Sequence, residues 1–212
     1  MGEWEDGLMF VKICGLREPA TLRAAIDGGA DAVGFVMAPG SPRTISPADA
    51  HALVALVPDE IETVGVFRSQ SIDEVLAMAA AAGVQTIQFH GHEPIADLDR
   101  ARAQGYGVIR ALSVPEYLAE LEADPDRMGD YRLLLDAPIP GAGIPFDPSL
   151  LLTHRPAGPW LLAGGLTPGN VAALIDQVRP GGVDVSSGVE SSRGVKNVGL
   201  IADFIAAARS TR

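Results

Sequence analysis

Short apolar runs rich in valine, isoleucine and leucine alternate with alanine-rich amphipathic stretches along nearly the whole chain. The runs at 10–14 (FVKIC), 31–37 (DAVGFVM), 61–67, 86–89, 107–112, 131–135, 160–163 and 182–185 predict eight strands. Most are apolar throughout rather than alternating, the pattern of parallel strands buried on both faces. Between them the spacing predicts helices over 19–25, 47–58, 72–82, 94–103, from 114, 167–178 and 198–208. Several carry their own start signals. Ser46-Pro47-Ala48-Asp49 supplies an N-cap, a proline in the first turn and an acid near the helix N-terminus. Ser71 with Glu74 and Ser113 with Glu116 have the spacing of capping boxes, and Gly83 suits a helix stop. The segment 138–149 is rich in proline and glycine, so a reduced or irregular helix is expected after strand six.

Eight strand-helix units, with connections too long for hairpins, predict an α/β fold: a single-domain (β/α)8 TIM barrel spanning residues 1–212. The chain is compact for that fold, which usually takes about 250 residues. An open doubly wound sheet is the alternative, but no Gly-x-Gly-x-x-Gly fingerprint follows the first strand. Residues 1–9 are expected to form a loosely ordered extension.

Composition narrows the function. With 16 basic and 27 acidic residues the net charge is −11, which argues against nucleic acid or an anionic membrane surface as a partner. A phosphorylated small molecule is still allowed, because a few backbone N–H groups make a local anion site. The single cysteine, Cys14, rules out an internal disulfide and a cysteine-based zinc site. No run reaches membrane-spanning length, so a cytoplasmic protein is the expectation. The acidic surface shows no apolar seam and predicts a monomer, with a homodimer the alternative.

In such a barrel the C-terminal ends of the strands carry the chemistry. Those ends place Cys14, Arg17, Arg43, Arg68, His90, Asp136, Gly164-Gly165 and Ser186-Ser187-Gly188 on one face. Gly164, Gly165, Ser187 and Gly188 follow strands seven and eight, where loop amides often hold phosphate; the alternative is a pair of tight turns. Cys14 is either a small buried hydrophobe or, beside a positive charge, a base or nucleophile. Its neighbour Gly15 is read as leaving room for a ligand. Asp136 either donates a proton into the cavity or caps the following loop. Arg43 suits a planar carboxylate, or is simply exposed, and Arg17 is the alternative anion partner. His90 and His92 with Glu93 lack metal-site spacing, so no metal is assigned. His90 is expected to line the cavity and His92 to cap helix four or face solvent.

Taken together, VKICGL (11–16), VGFVMAPGSPR (33–43), IQFHGHE (87–93), LLLDA (133–137), LAGGLTPGNV (162–171) and VDVSSGVE (183–190) resemble the phosphoribosylanthranilate isomerase family. That resemblance implies an Amadori rearrangement without a cofactor. It implies Cys14 as general base, Asp136 as general acid and Arg43 as the anchor of the substrate carboxylate. It implies phosphate binding by Gly143, Gly164, Gly165, Ser187 and Gly188. Lys12, two residues before Cys14 and deeper in the strand, is expected to pair with Asp184 or another carboxylate below the substrate.

The chain departs from the family pattern at Ala142, where a hydroxyl residue is usual, and at Pro148, where a tryptophan is usual. Its last loop reads Ser192-Arg193-Gly194-Val195-Lys196-Asn197, lacking a proline and an acid. These changes predict weaker ground-state binding or a shifted substrate preference. Two alternatives remain at this level. One is a phosphosugar isomerase acting on a histidine-pathway-like substrate, which a cysteine at the end of strand one disfavours. The other is a noncatalytic phosphate-binding barrel.

Overall fold

The computed structural model describes residues 9–124, 131–136 and 149–211. Eight parallel strands close into a barrel in chain order: β1 (Phe10–Cys14), β2 (Ala32–Val36), β3 (Glu62–Phe67), β4 (Thr86–Phe89), β5 (Gly107–Ser113), β6 (Arg132–Asp136), β7 (Trp160–Ala163) and β8 (Gly182–Val185). Closure pairs β8 with β1, so Lys12 stands opposite Asp184. Around the barrel run α1 (Pro19–Asp27), α2 (Pro47–Val54), α3 (Ile72–Ala82), α4 (Ile95–Ala103), α5 (Val114–Ala123), α6 (Ser149–Thr153), α7 (Val171–Val178) and α8 (Val198–Arg209). A 3-10 turn, Ser187–Val189, and a small hairpin of β9 (Glu190–Ser192) and β10 (Val195–Lys196) lie between β8 and α8.

The two-residue period of each strand divides its side chains between two layers. Val11, Ile13, Leu133, Leu135, Val183 and Val185 point outward and pack with the helices. Cys14, Ala32, Val64, Ile109, Leu134 and Leu161 fill the barrel interior. Lys12, Gln88 and Asp184 are buried polar residues on the same strands. Burial on both faces explains why the strands read as continuous apolar runs.

The cap signals hold. Ser71 and Ser113 form complete capping boxes with Glu74 and Glu116, and the Ser46 side chain accepts from the Asp49 amide at 3.1 Å. Gly83 ends α3 in the left-handed conformation, at φ 73°. Helix α6 has five residues, the reduced helix expected after strand six, while the loop before it, 137–148, falls outside the described residues.

Most boundaries shift by a residue or two from expectation, and a few shifts bear on the site or the helix ends. Helix α2 stops at Val54 rather than near 58. Strand β6 runs one residue further, taking Asp136 into the ladder opposite Ser113. Helix α7 starts at Val171 rather than 167, because Asn170 is engaged in the preceding turn. Its Oδ1 accepts from the Thr167 amide at 2.7 Å and its Nδ2 donates to the Gly165 carbonyl. Residues 1–8 lie outside the described residues; Met9 packs on the core and its carbonyl accepts from Arg209. Among the described residues no helix is long and apolar enough to cross a membrane.

Candidate active site

At the C-terminal end of the barrel a cavity of about 370 Å³ is lined by Cys14, the loop from Ala38 to Arg43, Arg68, Gln88, His90, Asp184, Ser186 and Arg193. A second cavity, of about 310 Å³, is lined by Arg68, His90, His92, Ser113, Glu116 and Asp136. Arg68 and His90 border both, so Cys14 and Asp136 line adjoining cavities with those two side chains between them.

Cys14 ends β1 with its side chain directed inward and 5% of the residue exposed. Gly34, across the ladder on β2, provides the space: a Cβ there would stand 2.9 Å from Cys14 Sγ and 3.3 Å from Lys12 Nζ. Lys12 Nζ donates to Asp184 Oδ1 at 2.7 Å, the pairing the sequence suggested, in a side chain with no solvent exposure. Burial works against the lysine charge, yet Asp184 and Cys14 outweigh it and raise its pKa. Burial pushes the Cys14 thiol up, with Asp184 adding to the shift and Lys12 and Lys196 opposing it. A nearby cation is therefore present, as a thiolate base requires, but desolvation outweighs it.

Asp136 ends β6 with its carboxyl half exposed. His90 Nε2 lies 3.8 Å from Asp136 Oδ2, and the Gln88 side-chain nitrogen lies 3.2 Å from His90 Nδ1. Burial raises the Asp136 pKa while His90 opposes the rise. A raised carboxyl at the mouth of the barrel is placed to donate a proton. His92 points away: it is 89% exposed and faces Glu116 at the start of α5 rather than capping α4.

Arg43 crosses from the β2–α2 loop to β9. Its Nε and NH2 donate to Glu190 Oε1 and Oε2 at 2.6 and 2.9 Å. The freedom of Gly15 serves this crossing. At φ 79°, a Cβ on it would meet Arg43 Cδ at 2.8 Å, so the space beside Gly15 holds the arginine stem rather than a ligand. Arg17 is turned to the hairpin, donating to the Gly194 carbonyl at 2.8 Å.

Gly164 and Gly165 follow β7 in left-handed conformations, at φ 89° and 50°. Gly188, in the 3-10 turn after β8, packs against the carbonyl of Leu166 so tightly that an added Cβ would overlap it. The two glycine loops are therefore side by side. Gly143, Ala142 and Pro148 fall outside the described residues. The acid missing at 197 has a substitute: the Asn197 side chain accepts from the Leu200 amide at 3.0 Å and caps α8.

Sequence reasoning missed Glu190 and Lys196 as parts of this face. Both side chains are almost fully buried, and they pair at 2.8 Å. Glu190 closes the VDVSSGVE stretch and Lys196 is one of only two lysines, the signals that pointed to them. Gly34 was equally visible as a glycine inside a strand, a mark of close approach.

Residues 11–207 match the family described as N-(5'-phosphoribosyl)anthranilate (PRA) isomerase. The chain is 41% identical to the enzyme of that name from Deinococcus radiodurans, covering 96% of this chain and 98% of the relative. Among solved structures it is similar to TrpF from Jonesia denitrificans, with a TM-score of 0.83 and 44% identity, covering 95% and 97% of the two chains. It is also similar to a phosphoribosyl anthranilate isomerase in complex with reduced 1-(o-carboxyphenylamino)-1-deoxyribulose 5-phosphate, with a TM-score of 0.83 and 37% identity, covering 96% and 100%. A third is the monomeric form generated from the dimeric isomerase of Thermotoga maritima, with a TM-score of 0.81 and 36% identity, covering 95% and 98%.

Proposed function

The chain belongs to the N-(5'-phosphoribosyl)anthranilate isomerase family, and we propose that Asp136 and Cys14 are the acid and base of its rearrangement. It is an isomerase of tryptophan biosynthesis, acting on a phosphorylated small molecule. The reaction converts N-(5-phosphoribosyl)anthranilate to 1-(2-carboxyphenylamino)-1-deoxyribulose 5-phosphate.

In this reading Asp136 protonates the ribose ring oxygen as the bond from that oxygen to C1 breaks. The nitrogen lone pair forms the C1–N double bond, giving an open-chain iminium ion. That cation acidifies the C2 hydrogen and adds positive charge beside Cys14, which favours the thiolate. Cys14 takes the C2 proton and leaves an enolamine. The enolamine gains a proton at C1 and loses one from the C2 hydroxyl, giving the ketone. No electrons leave or enter overall. Each proton transfer is worth about 10²–10⁴-fold in rate.

Arg43 is read as the anchor for the anthranilate carboxylate, through the guanidinium N–H groups that Glu190 does not use. The amides around Gly164, Gly165, Ser187 and Gly188 are read as the phosphate site. With the substrate held at both ends, C1 and C2 lie between the acid and the base, which lowers the entropic cost of each transfer. The reading also takes residues 1–212 as one domain located in the cytoplasm. It takes the protein as a monomer, because among the described residues the exposed large apolar side chains are limited to Leu56, Leu152, Val195 and Val198.

The observation that carries the assignment is the meeting of the Cys14 and Asp136 cavities at Arg68 and His90. The test follows anthranilate fluorescence after freshly made substrate is added. Cys14→Ala and Asp136→Asn are each expected to lose about 10²–10⁴-fold in kcat while still binding the reduced product analogue. Normal turnover in either variant removes that residue from the mechanism.

A further inference from the structure

The Glu190 carboxylate is buried and completely engaged. Its Oε1 accepts from Arg43 Nε at 2.6 Å and Lys196 Nζ at 2.8 Å, and its Oε2 from Arg43 NH2 and the Gly194 amide, each at 2.9 Å. Burial alone would raise its pKa, but these donors outweigh it and hold the value at about 2. Lys196 is spent as well, since Nζ donates to the Ser186 carbonyl, the Ser186 hydroxyl and Glu190.

Two consequences follow for Arg43. A guanidinium has five N–H donors in a rigid plane, and holding it along Nε and NH2 fixes that plane. What remains for a ligand is the NH1 end with the second NH2 hydrogen. Within the trio of Arg43, Lys196 and Glu190, two cations face one anion, so a positive charge is left over for a ligand carboxylate. A ligand carboxylate meeting a fixed guanidinium avoids the entropy cost of ordering a long side chain.

We propose that Glu190 is a positioning residue for substrate recognition, holding Arg43 so that its free end meets the substrate carboxylate while cancelling the charge of Lys196. The inference rests on the reading of Arg43 as the carboxylate anchor and adds what makes that anchor selective.

The test compares two inhibitors, reduced 1-(o-carboxyphenylamino)-1-deoxyribulose 5-phosphate and its phenylamino counterpart without the carboxylate. In Glu190→Gln the carboxylated inhibitor and the substrate KM are expected to weaken by about tenfold, with the other inhibitor unchanged and kcat little affected. In an Arg43→Lys background, Glu190→Gln should cost little more, because the group it positions is gone. Equal weakening of both inhibitors, or of neither, overturns the proposal. If Arg43→Lys alone does not separate the two inhibitors, the Arg43 reading itself fails. Glu190→Asp keeps the charge but is one methylene too short for the two-point grip. It should show the same selective loss, and it replaces Glu190→Gln if that variant does not fold.

Discussion

Lys12 Nζ and Asp184 Oδ1 lie 2.7 Å apart on strands that meet only where the barrel closes, two residues below Cys14. The lysine charge is one of the few forces that lower the Cys14 pKa against its burial. Removing it should raise the thiol pKa further. In Lys12→Met, alkylation of Cys14 by iodoacetamide should begin at higher pH than in the parent, and turnover at neutral pH should fall by about tenfold or more. Leaving Asp184 buried without its partner also destabilises the fold, by about 3–5 kcal/mol. The double variant Lys12→Met/Asp184→Asn should recover most of that stability in thermal unfolding without recovering the activity. A parent-like alkylation profile in Lys12→Met would exclude an electrostatic role for the lysine.

The two titrating groups also determine the pH profile. Asp136 is raised from 3.8 and Cys14 from 9.0, so in the free enzyme the acid titrates below the base. The productive pair, protonated Asp136 with thiolate Cys14, is then the minor form at every pH. Its population rises with pH as the fully protonated site loses its first proton, and it is flat between the two pKa values. A plot of kcat/KM should therefore rise at low pH, where the fully protonated site loses a proton, run level through neutrality and fall at alkaline pH. With Asp136→Glu the acid limb should move, while Cys14→Ser should move the alkaline limb. Assignment of the limbs the other way round would reverse the proposed order of ionisation.

Gly188 should tolerate no side chain. A Cβ would overlap the Leu166 carbonyl, which is backbone and cannot rotate away. Gly188→Ala should therefore force the β7 and β8 loops apart, costing about 1–3 kcal/mol of stability and weakening inhibition by inorganic phosphate. Calorimetry and phosphate competition measure the two effects. A variant with unchanged phosphate inhibition would separate this loop contact from the anion site.

The strands, most of the helices and the site face were legible because each depends on local order. Apolar runs report burial on both faces, Ser71 and Ser113 announce their own capping boxes, and Cys14 and Asp136 stand out as reactive residues at strand ends. The start of α7 was less legible, because Asn170 looks like an ordinary turn residue until its side chain is seen bonding both Thr167 and Gly165. The electrostatics of the site were least legible. Arg43 and Glu190 are 147 residues apart, and Lys12 and Asp184 are 172 apart. Periodicity can say that such residues point inward or stand in loops at one end. Which charges meet, and therefore how far the Cys14 thiol and the Arg43 guanidinium are held in place, is decided only when closure of β8 on β1 brings the two ends of the chain together in a space with little water to screen them.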